Sequence, residues 1–253
     1  MSLFPHVALV LTLVFCLPAQ AEDELDVTPY RPTVSNPAQL PAPGQLEFEF
    51  GGLDSKTGDL TRGSLPYLFK LAFDEQWGVL LGGEGYVRNA GGGATDTGIG
   101  DTNLTLKRAF LINSATAFGL EFNVKLPTAK DTIGSGKTDY GINGIFSRDF
   151  DEIHMDTNLN VTHIGTDDAS SGNLQTGLST SLSHMVTEKW GVSAELSGTR
   201  RTSVPSTAQF LVAATYSPSK HMTLDIGLLR GLNAASPDWA IFSGIVIPVA
   251  KLW

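Results

Sequence analysis

The chain has 253 residues, a formal net charge of −9, 42% hydrophobic residues and 27 glycines. That length suffices for one large β-domain or two smaller domains. A mean hydropathy of +0.02, with no apolar run long enough for a spanning helix beyond the N-terminus, argues against a helical membrane protein. The acidic balance argues against nucleic acid as a partner.

Residues 1–21 read as a secretory signal peptide. Val7 to Leu17 forms an apolar stretch, Pro18 breaks it, and Ala19-Gln20-Ala21 supplies the small residues of a cleavage site. The first residues carry no Lys or Arg, which departs from the usual pattern. Cys16 is the chain's only cysteine, and Phe15 before it is too large for a lipidation signal. Cleavage after Ala21 would leave no thiol, and so no disulfide or thiolate chemistry.

Residues 22–44 form a leader, acidic at first and then rich in proline, with Pro29, Pro32, Pro37, Pro41 and Pro43. Proline removes backbone donors and favours extended, unpaired backbone. Two readings follow. The leader is either a flexible run before the first strand, or a segment that enters a lumen or meets a periplasmic partner.

Residues 45–253 repeat one pattern. Leu46, Phe48 and Phe50 alternate with Glu47 and Glu49; Leu65, Tyr67, Phe69 and Leu71 with Lys70; Trp77, Val79, Leu81 and Val87 with Glu84 and Arg88. The clearest case is 117–128, where Phe118, Leu120, Phe122, Val124 and Leu126 oppose Glu121, Asn123 and Lys125. Successive side chains of a strand point to opposite faces, so each such stretch has one apolar and one polar face. Ile153, Met155, Leu159 and Val161 oppose His154, Asp156, Asn158 and Asn160, and the pattern runs on through Glu195 and Asp225 to the C-terminus.

About twelve strands result, of the length transmembrane barrels use. Short turns (74–76, 113–115, 149–152, 187–189, 217–220) alternate with longer loops (54–63, 89–98, 127–138, 165–172, 199–205, 231–238). Outer-membrane barrels divide periplasmic turns and extracellular loops in this way. Aromatic residues sit near strand ends, as an interfacial girdle requires. The expected fold is therefore all-β, a transmembrane antiparallel up-and-down barrel of about twelve strands, with a soluble β-sandwich as its rival. Pro248 and Lys251 suit the last strand poorly, so it is expected to stop near Val249.

On this reading the polar parity lines the lumen. Glu47, Glu49, Lys70, Glu84, Arg88, Lys107, Glu121, Asn123, Lys125, Asp156, Asn158, Glu195 and Asp225 are its candidate residues. The mixed signs either pair and fill the lumen, since an unpaired buried charge is costly, or line a polar conduit.

Several short motifs carry a family resemblance: Arg31-Pro32-Thr33, Ser35-Asn36-Pro37, Gly98-Ile99-Gly100-Asp101, Lys125-Leu126-Pro127-Thr128 with Gly134-Ser135-Gly136, and Gly231-Leu232 before Pro237-Asp238. On these the chain resembles the outer-membrane family labelled for a meta-pathway of phenol degradation. The resemblance implies a barrel that passes small hydrophobic or aromatic compounds.

Other chemistry finds little support. Ile133-Gly134-Ser135-Gly136-Lys137-Thr138 imitates a phosphate loop, but Asp131 replaces its first glycine and a strand follows instead of a helix. His163 near Ser170 and Ser171 would suit a lipid hydrolase, yet Gly165 stands where that motif needs serine. His154 and Asp156 could share a metal, but two ligands are too few for a structural site. The expectation is an exported outer-membrane channel with no cofactor, no metal and no covalent chemistry. Its partners would be membrane lipid and small solutes. The alternative is a structural or adhesive outer-membrane protein with a filled lumen, and a membrane-embedded lipid hydrolase ranks below both.

Overall fold

The computed structural model describes residues 26–253; the expected signal peptide, 1–21, lies outside the described residues. Thirteen strands follow one another. They are β1 (Gln45–Thr57), β2 (Leu60–Ala72), β3 (Trp77–Gly91), β4 (Ala94–Gly98), β5 (Thr102–Asn113), β6 (Thr116–Leu126) and β7 (Asp139–Phe150). Then come β8 (Ile153–His163), β9 (Leu174–Met185), β10 (Trp190–Arg201), β11 (Val204–Ser219), β12 (Met222–Gly231) and β13 (Trp239–Lys251). Each pairs antiparallel with its neighbours, and β13 returns to β1. β4 is a short spur paired only with the end of β3, so twelve strands close the barrel. Closure leaves no sheet edge and satisfies the backbone internally, which is what a strand protein in lipid must do.

The exterior is apolar. Leu46, Phe48, Phe69, Leu106, Phe118, Phe122, Leu159, Val212, Leu228 and Ile241 all fall on the outward parity, and most are well exposed. Large apolar side chains exposed in this number on every strand of the closed barrel have a solvent only in lipid. Several charged residues in the middle of the wall are turned inward instead: Lys70, Lys107, Glu47 and Glu195 are among the largest fully buried side chains. A sandwich would bury the Leu and Phe set and expose the charges, so it is excluded.

Three local expectations are corrected. The segments 54–63, 89–98 and 199–205 are not loops: β1 and β2 continue to a two-residue turn, β3 and β4 form a hairpin, and β10 and β11 meet at Thr202-Ser203. Their residues lie beyond the apolar belt, where both faces are solvated and alternation disappears although the ladder continues. The last strand does not stop at Val249 but runs to Lys251. A bulge sets Glu47 opposite Pro248 and Leu46 opposite Ala250, so the irregularity falls where proline has no N–H to donate. Arg88, expected in the lumen, is exposed, while Val87 beside it is fully buried. A register shift between Ser64 and Pro66, opposite Val87 and Glu84, inserts one extra residue in β3 and inverts its parity from there on.

Candidate functional site

The proline-rich leader lies inside the barrel. It enters beside the turn at Lys220, where Val27 donates to the Lys220 carbonyl at 2.9 Å. It turns back near Ser35 and leaves beside Ala72, which accepts from Gly44 at 2.9 Å. Both ends of this hairpin therefore sit at the rim that carries the short turns. The prolines explain the fit. They leave the leader few backbone donors, and wall acceptors take them. Thr28 donates to Glu47 (3.0 Å), Tyr30 to Glu49 (2.7 Å), Ser35 to Glu195 (2.7 Å), Asn36 to Asn158 (3.0 Å) and Ala38 to the Ser147 hydroxyl (2.8 Å). Leader carbonyls accept in turn, Thr28 from Lys70, Pro37 from Lys107 at 2.5 Å and Asn36 from Asn158 at 2.8 Å. A buried backbone group without a partner is costly, so this matched set specifies one seat. Of the two readings of the leader, the flexible run does not describe residues 26–44, and the partner they meet is the barrel itself.

Two side chains anchor the hairpin. Arg31 meets the Asp225 carboxylate in a two-point contact of 2.8 and 2.9 Å, the geometry that makes guanidinium–carboxylate pairs directional. Two wall glycines make room for it: a Cβ at Gly244 would lie 2.3 Å from the Arg31 Nε, and one at Gly51 would lie 2.9 Å from its Cζ. The Tyr30 ring has the Lys70 ammonium 4.4 Å from its centroid and the Lys107 ammonium 4.1 Å away, two cation–π contacts in a dry site. Its hydroxyl donates to the Gln39 carbonyl at 2.8 Å and so ties the two arms of the hairpin together. Burial, reinforced by the carboxylates of Glu121 and Glu49, holds the phenol well above its ordinary value, which keeps it a neutral donor.

The wall charges are paired as well. Lys70 lies 2.9 Å from Glu47 and 2.6 Å from Glu49, and Lys107 lies 3.2 Å from Glu121. Glu121 also accepts from Asn36 and from Asn143. Nearer the long loops a second tier of charges pairs within the wall. There Glu84 pairs with Arg62 at 2.5 Å, and Lys125 pairs with Asp139 at 2.8 Å and Asp101 at 3.5 Å. Asn123 lies on the same inward parity of β6, packed against Gly141.

The opposite arc of the lumen is different. Ser181 and Ser183 of β9, Ser193 of β10, Thr215 and Ser217 of β11 and Thr223 of β12 face a cavity of about 440 Å³ whose other side is the leader at Tyr30–Thr33. The Ser193 Oγ is buried and has no hydrogen-bond partner among the described residues. Asp156 borders this cavity and is held by His154 (3.2 Å) and by the Ser147 hydroxyl; His154 also meets Asp149 at 2.6 Å. His163 meets Asn173 at 3.1 Å, whereas Ser170 bonds Asp168, so histidine and serine are not brought together. Among the described residues no three His, Cys, Asp or Glu side chains gather as a metal group.

Arg31, Tyr30 and Asn36 are the side chains that sequence reasoning missed. Arg31 and Asn36 stand out only within the motifs Arg31-Pro32-Thr33 and Ser35-Asn36-Pro37, and Tyr30 only as an aromatic residue in a proline-rich run. The partners lie far along the chain, Asp225 being 194 residues from Arg31.

The family model described as "Putative MetA-pathway of phenol degradation" matches residues 31–247. Among solved structures, the COG4313 outer membrane channel from Pseudomonas putida F1 is similar, with a TM-score of 0.65 and 13% identity over 91% of this chain and 100% of that one. The KdgM porin (TM-score 0.57, 9% identity, 81% of this chain and 99% of that one) and the NanC porin (0.57, 8%, 81% and 100%) are similar too. At these identities the likeness is one of fold. No curated protein matches the sequence.

Proposed function

From the premise that the chain belongs to this phenol-degradation family, shown by a match over residues 31–247, we propose that it is a passive outer-membrane channel for small aromatic or hydrophobic solutes. The observation that carries the reading is the cavity of about 440 Å³ between the leader and the hydroxyl-bearing strands β9–β12. One side offers Ser and Thr hydroxyls; the other offers the rings of Pro29, Pro32 and Pro37. A small aromatic alcohol has one polar group and one apolar face, and such a passage would suit it on both sides. Its movement would be diffusive, driven by the gradient, with no covalent step. Residues 1–21 would direct export to the periplasm, from which the barrel inserts.

A second reading has its own support. The leader fills the charged half of the lumen, as a structural or adhesive protein with a plugged barrel would require. Uptake separates the two. Cells carrying or lacking the gene are given radiolabelled phenol at micromolar concentration, and initial uptake is timed. The channel reading expects a clear loss of initial rate on deletion, restored by the gene in trans. Equal rates would overturn it and leave the plugged barrel.

A further inference from the structure

The lipid-facing wall is not uniformly convex. Two apolar grooves lie on it and meet at Ile241. One, of about 410 Å³, runs over β11–β13 between Phe210, Val212, Leu228 and Trp239. The other, of about 800 Å³, runs over β12 to β3 between Leu65, Tyr86 and Ile226. Each ends in an arginine at the long-loop side, Arg230 in the first and Arg88 in the second. Lys56 stands between them, paired in the ladder with Trp239 on the same outward parity.

The level of these cations is set by their neighbours. On β12 the outward residues run Leu224, Ile226, Leu228 and then Arg230; on β13 the run begins at Trp239 and continues through Ile241. The apolar belt therefore stops at these cations, with tryptophan at the boundary, as at a membrane interface. The Arg230 guanidinium is steadied by the Asp238 carbonyl at 2.7 Å, which leaves it charged. Among the described residues, neither Arg88 nor Lys56 makes an ion pair, whereas the inward cations Lys70, Lys107 and Lys125 all do. Two carboxylates stand against the three cations: Asp54, which borders the second groove, and Asp238, which caps the Gly58 N–H at the rim.

We propose that this face binds an anionic glycolipid of the outer leaflet, its phosphates on Arg230 and Arg88 and its acyl chains in the two grooves. The occupant is chosen by charge and shape together. Phosphate is the natural partner of an unpaired guanidinium at an interface. Two cationic ends joined by a shared apolar wall fit one headgroup that carries two phosphates and several chains, which is the chemistry of lipid A. A phospholipid with a single phosphate engages only one end.

The test uses the full mature chain in detergent, titrated with hexa-acylated lipid A and followed by native mass spectrometry. Monophosphoryl lipid A and phosphatidylglycerol serve as comparison lipids. Wild type is expected to bind lipid A about tenfold more tightly than the doubly substituted R88A/R230A protein, with monophosphoryl lipid A between lipid A and phosphatidylglycerol. R88K/R230K, which keeps the charge, should retain most of the affinity. Both variants must keep heat-modifiable gel migration, so lost binding cannot be lost folding. Equal binding by wild type and R88A/R230A, or phosphatidylglycerol binding as tightly as lipid A, would overturn the proposal.

Discussion

Two arcs of one lumen handle the leader in different ways. On β1, β2, β5 and β6 the wall is acidic and basic: Glu47, Glu49, Lys70, Lys107 and Glu121 are buried and mutually paired, the first four bonded to leader backbone and Glu121 to the Asn36 side chain. On β9–β12 the wall carries two buried carboxylates, Glu195 and Asp225, which take Ser35 and Arg31 of the leader; the residues between them are mostly serine and threonine, and there a cavity remains between wall and leader. Carboxylates and ammoniums have long reach and strict demands. Once buried they must be paired, so they hold whatever satisfies them. Serine is short and makes weak, replaceable bonds, so a wall of it leaves room. Carboxylates and ammoniums on both sides fix the leader, and the serine and threonine positions of β9–β12 leave a cavity beside it.

The largest effect should come from removing what the charged arc holds. A chain lacking residues 26–42 should conduct several times more in a planar bilayer, because the lumen loses its hairpin while the barrel keeps every strand pair. An unchanged conductance would mean that the leader does not narrow the path.

A smaller, energetic contrast separates the two tiers of charge. Lys70 is fully buried between Glu47 and Glu49, so Lys70→Met strands two carboxylates and should cost about 3–5 kcal/mol. Lys125 is partly exposed between Asp101 and Asp139, so Lys125→Met should cost about 1 kcal/mol or less. The temperature at which each variant loses its compact gel migration measures both. Equal shifts would remove the distinction between the tiers.

The fold was legible because lipid and lumen impose opposite demands on alternate residues. The stretch from Phe118 to Leu126 carries that demand without exception and is β6, the fifth strand of the barrel. The pattern misled where backbone geometry changed under it. The extra residue in β3 turned Val87 inward and Arg88 outward, and nothing in a strict alternation announces a bulge. The leader was hidden for another reason. Proline-rich backbone has no period, and Arg31, Tyr30 and Asn36 find their partners only once distant strands have closed around them.

The contrast between the arcs is tested most directly by filling the one that is open. Ser181→Trp with Ser193→Trp places two indoles in the cavity and leaves the Lys70 and Lys107 ion pairs on the other arc in place. Single-channel conductance of this protein, compared with wild type in the same bilayer, should fall to near zero. Conductance at the wild-type level would place the path elsewhere and contradict the account.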